Sequence, residues 1–342
     1  MGLLNEKTGF YDMPMYLDEA FLDWTSFEPS NLCLYPIQYL TDSLGGIMKS
    51  ELVVIGADSG CGKSELANSI AFINAGNKKN VYLFSLEGDR YEVIQRFRYR
   101  QYIKSCYSSG RKEMVISYRE FIHRRNLPKG IEEEILVIDE LFKAKFKTLN
   151  IYNREDVLDI KKLEAHLEII DSKADLVVLD HLHYFDFLSD NEHAEITKIM
   201  KSIKRLQDKY RVPIVLVSHL RKKDKGRVFP DKNDFHGSSN IVKQADTAII
   251  IAHPEVVTEE DNEKYQEQIQ NNIYKTGIRV AKSRTGFGEK VVGVVDYDLN
   301  KRGYEREYKL SIIGDKFIMP MDRSKYPKWA INAVPENYYA KN

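Results

Sequence analysis

A lysine and a serine close a glycine-rich turn at residues 56–64, Gly-Ala-Asp-Ser-Gly-Cys-Gly-Lys-Ser. The turn follows an apolar run at 52–55 and precedes a helix-patterned stretch at 65–75. A strand, a glycine turn and a helix opening on Lys-Ser make a phosphate cradle. The glycines let successive backbone N–H groups face an anion, and the helix N-terminus adds partial positive charge. In such a cradle Lys63 reaches the β- and γ-phosphates and the Ser64 hydroxyl ligates Mg²⁺. Ala57, Asp58, Ser59, Gly60, Cys61, Gly62, Lys63 and Ser64 are therefore the expected nucleotide contacts. Spacing counted back from Gly62 puts Ala57 where the strict motif has glycine. The residues imply a nucleoside triphosphate site.

Three further positions follow strand-like runs. Glu87 comes directly after Phe84-Ser85-Leu86. A carboxylate beside the cradle can orient and deprotonate an attacking water, and it can equally cap the helix that starts near Arg90. Asp180 ends the run Leu176-Val177-Val178-Leu179. Paired with Ser64, such an acid is a Mg²⁺ carboxylate. His219 follows Val215-Leu216-Val217-Ser218. A neutral imidazole there can hydrogen-bond a γ-phosphate and sense its loss, although a lone histidine is also a common structural residue. Beyond it lies the one dense basic loop, with Arg221, Lys222, Lys223, Lys225, Arg227 and then Lys232. A charge run of this kind is a solvated face or a track for phosphodiester backbone. Lys282-Ser283-Arg284-Thr285-Gly286, read in isolation, is an exposed basic turn.

The elements that must position these residues are short apolar runs at 52–55, 81–84, 176–179, 214–217 and 247–251, several of them rich in β-branched residues. They suit parallel strands covered on both faces. Helix-spaced apolar residues at 91–103, 157–171 and 195–210 complete a β-α-β alternation. Two more strands are expected at 277–282 and 290–298, and residues 288–310 read as a hairpin at the sheet edge with its turn at 300–303. A short amphipathic helix is expected at 16–24, either packed on its own core or docked on a neighbouring subunit. Residues 253–275 read as a polar surface insertion and 319–342 as an appended tail.

The 342 residues carry 51 basic and 51 acidic side chains, so the molecule is no polycation and any nucleic-acid contact must be local. No apolar run approaches a membrane span. The N-terminal sequence has no signal-peptide pattern, and Glu6 stands where myristoylation requires Ser or Thr. Three scattered cysteines make neither a disulfide framework nor a zinc site. A cytoplasmic protein is the expectation.

Taken in order, five motifs resemble the RecA-like motor domain of ring-shaped replicative helicases of the DnaB type, including the phage and mitochondrial primase-helicase branch. The resemblance covers about residues 35–310. Ala57 is tolerated in the cradle of that family. Phe84-Ser85-Leu86-Glu87 is similar to its F-S-L-E, which makes Glu87 the catalytic base. Leu179-Asp180-His181-Leu182-His183 stands where the family has I-D-Y-L-Q, making Asp180 the Mg²⁺ carboxylate. Val217-Ser218-His219-Leu220 resembles its S-Q-L sensor, with His for Gln as in the primase-helicase branch. The stretch 237–246 is similar to G-S-x-x-I-x-Q-x-A-D, which assigns the basic loop and Lys243 to DNA and Gln244 to the nucleotide. Lys282 and Arg284 match K-x-R-x-G, whose arginine reaches the neighbouring subunit's phosphates in trans.

The resemblance implies a RecA-like P-loop α/β core: a mostly parallel twisted sheet, helices on both faces and a C-terminal β-hairpin. Residues 1–34 are then an N-terminal arm, 35–318 the motor and 319–342 a tail. The implied activity is Mg²⁺-dependent ATP hydrolysis in a homo-oligomeric ring, most simply a hexamer, that translocates on single-stranded DNA and meets replication or recombination partners. A rival of another class is a RecA-like protein that uses ATP to switch single-stranded DNA binding without unwinding. The short N-terminal arm and His236, where the family often has Arg, point toward that rival. The Glu87, Asp180, His219, Lys282 and Arg284 set points toward the motor.

Overall fold

The computed structural model describes residue 25 and residues 32–152, 157–171, 173–186, 191–221, 229–235, 239–253, 272–284, 291–313 and 316–318. The expected helix at 16–24, most of the 253–275 insertion, the basic residues Lys222, Lys223, Lys225 and Arg227, and the tail lie outside these.

Among the described residues, ten strands form one sheet in the order β10-β9-β8-β7-β6-β1-β5-β4-β2-β3. The parallel part comprises β1 (Leu52–Ala57), β2 (Val81–Ser85), β3 (Leu149–Ile151), β4 (Leu176–Asp180), β5 (Ile214–His219) and β6 (Thr247–Ala252). The antiparallel part adds β7 (Ile273–Lys282), β8 (Val291–Asp298), β9 (Gly303–Ile313) and β10 (Lys316–Ile318). The helices are α1 (Gln38–Leu44), α2 (Lys63–Gly76), α3 (Arg90–Ser108), α4 (Tyr118–His123), α5 (Ile131–Lys145), α6 (Ile160–Ile170), α7 (Glu192–Tyr210) and α8 (Ser239–Gln244). Among the described residues no helix is long and apolar enough to cross a membrane.

The continuous apolar runs are explained by burial on both faces. Successive strand residues point to opposite sides, so β1 splits between two cores. Leu52 and Val54 join Leu163, Ile199 and Ile203 of α6 and α7 on one face. Val53 and Ile55 join Leu40 of α1 and Leu66 and Ile70 of α2 on the other. A third, smaller core ties α3, α4 and α5 through Tyr99, Tyr102, Phe121 and Ile138.

The expected α/β alternation is present, with three differences. Helices α4 and α5 and strand β3 form between α3 and α6, where no element was expected. Strand β7 begins at Ile273, so 273–275 are sheet residues, not insertion. The β8–β9 hairpin turns at 299–302, but β10 pairs outside β9, so the hairpin is not the edge.

Candidate active site

Parallel pairing sets the ends of β1, β5, β4 and β2 side by side. Ala57 lies opposite His219, and Ser85 lies opposite Asp180. The Leu86 N–H donates to the Asp180 carbonyl at 2.6 Å, which carries the β2–β4 pairing past the strand and delivers Glu87 above it. A crevice outside the carboxyl ends of a parallel sheet is where open α/β folds bind ligands.

The cradle turns on Gly60 and Gly62, with φ of 80° and 88°, a backbone region that side chains disfavour. Gly62 is the N-cap of α2, so Lys63 and Ser64 begin the helix. Lys63 is buried. The Ser64 hydroxyl donates to Asp180 Oδ1 at 3.1 Å. Asp180 is only 3% exposed. Burial pushes its carboxyl up from 3.8 to about 6; Glu87 adds to the rise, while the Ser64 hydrogen bond, Lys63 and Arg96 oppose it. Two adjoining oxygens, one on a buried acid whose charged form is penalised, are a donor set that a hard cation would satisfy.

Glu87 is exposed, and its Oε2 lies 3.3 Å from Nε2 of His181, which is 1% exposed. His181 Nδ1 accepts from the His183 N–H at 3.3 Å, while Nε2, though close to Glu87, is not aligned for a hydrogen bond with it. Burial, with His219, His183 and Lys63 nearby, pushes His181 down to about 3, so the ring is neutral near pH 7. Sequence reading missed this pairing. Its one available signal was the alternation His181-Leu182-His183 next to the expected acid. His219, at the end of β5, lies 4.5 Å from the His181 ring and 5.0 Å from the His183 ring, centroid to centroid.

The cradle, Glu87 and Asp180 line one side of a cavity of about 580 Å³. The antiparallel strands and the hairpin turn line the other, with Tyr274, Thr276, Tyr297, Leu299, Arg302 and Tyr304. Arg302 Nη1 meets Glu65 Oε2 at 3.2 Å, and its guanidinium lies 3.9 Å from the centre of the Tyr118 ring, tying the hairpin to α2 and α4. Arg96 also lines the cavity and pairs with Glu65 and Glu92. Neither arginine carried a sequence signal, since Arg96 sits inside a helical pattern and Arg302 inside a turn.

Of the expected nucleotide contacts, Gly60, Cys61, Gly62, Lys63 and Ser64 line the cavity, whereas Ala57, Asp58, Ser59 and Gln244 do not. Lys282 and Arg284 do not line it either. Lys282 Nζ donates to the carbonyls of Val242, Lys243 and Ala245 at 2.8, 3.2 and 2.5 Å, a cation on the C-terminus of α8. Arg284 is 61% exposed and meets Asp246 Oδ1 at 2.8 Å. Lys232 and Lys243 are exposed. Exposed Arg221 donates through Nη2 to the Asn233 carbonyl at 2.6 Å. The basic loop is pinched at its neck by a bridge between Leu220 and Phe235. Phe235 packs so close to Gly56 that a Cβ there would lie 2.5 Å from its ring, so the loop neck rests on the first residue of the cradle.

The family model described as "DnaB-like helicase C terminal domain" matches residues 36–300. The chain belongs to this family. The replicative DNA helicase DnaB of Mycoplasma pneumoniae is 25% identical over 277 residues, 75% of this chain and 53% of that protein. The probable plasmid replicative DNA helicase of Chlamydia muridarum is 25% identical over 224 residues, 63% of this chain and 46% of that one. This DnaB-like chain thus spans about half the length of the curated relatives it matches. Among solved structures, one described as an ATPase domain superposes with a TM-score of 0.65 at 16% identity, covering 91% of this chain and 99% of that domain. A DnaB-like replicative helicase studied for its interactions with primase gives 0.62 at 16% identity, covering 91% and 67%. At that identity both likenesses show the fold of the DnaB-like domain and nothing finer.

Proposed function

We propose that this chain is the ATP-hydrolysing motor of a DnaB-type helicase, working with Mg²⁺ in a homo-oligomeric ring on single-stranded DNA. The observation that carries the reading is the junction of buried Lys63, the Ser64–Asp180 hydrogen bond and Glu87 on one side of one cavity.

Ser64 and Asp180 would hold Mg²⁺, which when bound supplies positive charge to the β- and γ-phosphate oxygens. Lys63 and the N-terminal N–H groups of α2 hold the same phosphates from the cradle. His181 Nε2 stands 3.3 Å from one oxygen of Glu87, whose carboxylate would take a proton from the attacking water. The Lys282 ammonium braces the end of β7 against α8, and Arg284 projects from the segment just beyond it. Arg284 lies outside its own cavity, which supports a role as finger for the cavity of the next subunit. The neck contact between Phe235 and Gly56 gives a direct route from cradle movement to the basic loop, on which Arg221, Lys222, Lys223, Lys225, Arg227 and Lys232 would follow the DNA backbone. Membership of a helicase family favours this motor over the ATP-switched binding protein.

Mg²⁺-dependent ATP hydrolysis, measured with and without a single-stranded oligonucleotide, and strand displacement on a forked duplex test the reading. Stimulation by the strand together with displacement is expected. Stimulation without displacement would return the rival. Arg284→Ala and Lys63→Ala should each be inactive alone, and mixtures should recover part of the activity, because an intact finger then meets an intact cradle. Mixtures as inactive as the parents would remove the trans finger.

A further inference from the structure

Three imidazoles crowd together beside Glu87, drawn from the residue after β4, the turn beyond it and the end of β5. One ring nitrogen each from His181, His183 and His219 lies within 4.8 Å of the other two. The rings meet edge-on or tilted, with centroids 4.5, 5.0 and 5.7 Å apart, so this is a convergence of nitrogens and not a stack of faces. We propose that His181, His183 and His219 form a binding site for a transition-metal dication of the Zn²⁺ class, separate from the Ser64–Asp180 donor pair.

The chemistry of the donors argues for this class of ion. Imidazole suits zinc, copper, nickel and iron, whereas Mg²⁺ takes oxygen ligands. A tetrahedral ion with Zn–N bonds of about 2.0–2.1 Å needs nitrogens roughly 3.3 Å apart. The observed separation must therefore shrink by a distance that ring rotation can supply. Within the cluster, ligation competes with the 3.3 Å bond from the His183 N–H to His181 Nδ1. Binding through Nδ1 displaces it; binding through Nε2 moves the ring proton to Nδ1 and opposes it. That contact is long for an N–H donor, so its loss is cheap.

Two carboxylates flank the cluster without belonging to it, each within reach of one ring. Glu192 Oε1 is 3.9 Å from His183 Nε2, and Glu87 Oε2 is 3.3 Å from His181 Nε2. A metal held by the three rings draws Glu87 onto itself and away from water. Filling the site therefore inhibits hydrolysis, a consequence that rests on Glu87 being the base, whereas the site itself does not.

Cobalt(II) replaces zinc in such sites and reports nitrogen coordination at low coordination number by an intense visible ligand-field band. The whole chain, titrated with Co²⁺ without nucleotide, should develop that band to one equivalent. His183→Gln should weaken binding at least about 100-fold, since loss of even an outer partner costs 10–100-fold. It should leave Mg²⁺-dependent hydrolysis unchanged, because His183 does not line the nucleotide cavity. His219→Gln, read by the band alone, covers the case in which the first variant misfolds. Low micromolar Zn²⁺ should inhibit the wild type and spare His183→Gln. No band in the wild type, or a band that survives both variants, overturns the site. A band without zinc inhibition leaves the site standing and overturns the capture of Glu87. Because the band is read without ATP, failure of the motor reading cannot mimic either result.

Discussion

Six strands of the sheet run parallel and four complete it antiparallel, and the two parts meet the cavity differently. The parallel strands all finish on one edge. Residues far apart in sequence, Lys63, Glu87 and Asp180, therefore arrive together at the cavity without any local signal linking them, while His219 ends on the same edge but does not line the cavity. The antiparallel strands reverse at every step, so no edge collects their ends. What they offer is a face and a turn, and Tyr274, Tyr297, Arg302 and Tyr304 wall the cavity from there. Chemistry sits on strand ends and seating sits on a strand face. The same cavity is thus built by two mechanisms with different tolerance to change. A strand-end residue can be lost with the fold intact, while a wall residue that clamps helices carries stability as well.

The largest effects should fall on the parallel edge. Glu87→Gln should keep nucleotide binding and lower kcat about 10²–10⁴-fold, the usual worth of a positioned base. Lys63→Ala should lose at least as much, while both variants melt like the wild type. Near-normal hydrolysis by Glu87→Gln would leave Glu87 without a role, since Asp89, not Glu87, caps α3. Next in size, Arg302→Ala should break the division from the other side. It strips Glu65 of a partner in a contact where both side chains are little exposed, and removes a guanidinium from Tyr118. Thermal or denaturant melting should show a loss of about 3 kcal/mol, the low end for breaking a buried pair. The KM for ATP should rise more than kcat falls. A change confined to kcat, with no loss of stability, would make Arg302 chemical and blur the two parts.

The smallest effect concerns Asp180, which belongs to the edge yet costs stability. Its carboxyl is pushed up from 3.8 to about 6 in the folded chain, so the folded state holds that proton more tightly than the unfolded state. The ionised group therefore destabilises the nucleotide-free chain above about pH 6. That penalty shrinks as pH falls and is gone below about pH 4. Asp180→Asn, which can still accept from Ser64, should stabilise the free chain by of order 2 kcal/mol at pH 7–8, with the gain vanishing near pH 4. Mg²⁺-dependent hydrolysis should be lost at the same time. Equal melting of variant and wild type at pH 7 would show that the buried acid is already compensated.

Much of the site was legible because its chemistry is local. The cradle needs its glycines, lysine and serine within one turn, and Asp180 and His219 each end an apolar run. The elements that were missed had weak local patterns. Strand β3 is three residues with Asn150 at its centre. Helix α5 leaves Leu136, Val137 and Leu141 exposed while burying Ile131 and Ile138, which smears its apolar stripe.

The sequence by itself determined that a glycine turn of phosphate-cradle pattern lies between a strand and a helix, that apolar runs buried on both faces follow it, and which acids and bases end those runs. Those facts depend on residue type and on spacings of a few residues. Tertiary structure alone decided who meets whom. Only because β4 lies between β2 and β5 does Glu87 find His181 and do the rings of His181, His183 and His219 converge. Only because β7 pairs with β6, setting Lys282 opposite Ala248, does the Lys282 ammonium land on the carbonyls of α8 while Arg284 stays outside its own cavity. Strand order is a long-range choice. It is settled by burying both faces of the whole sheet at once, and no single run of residues carries it.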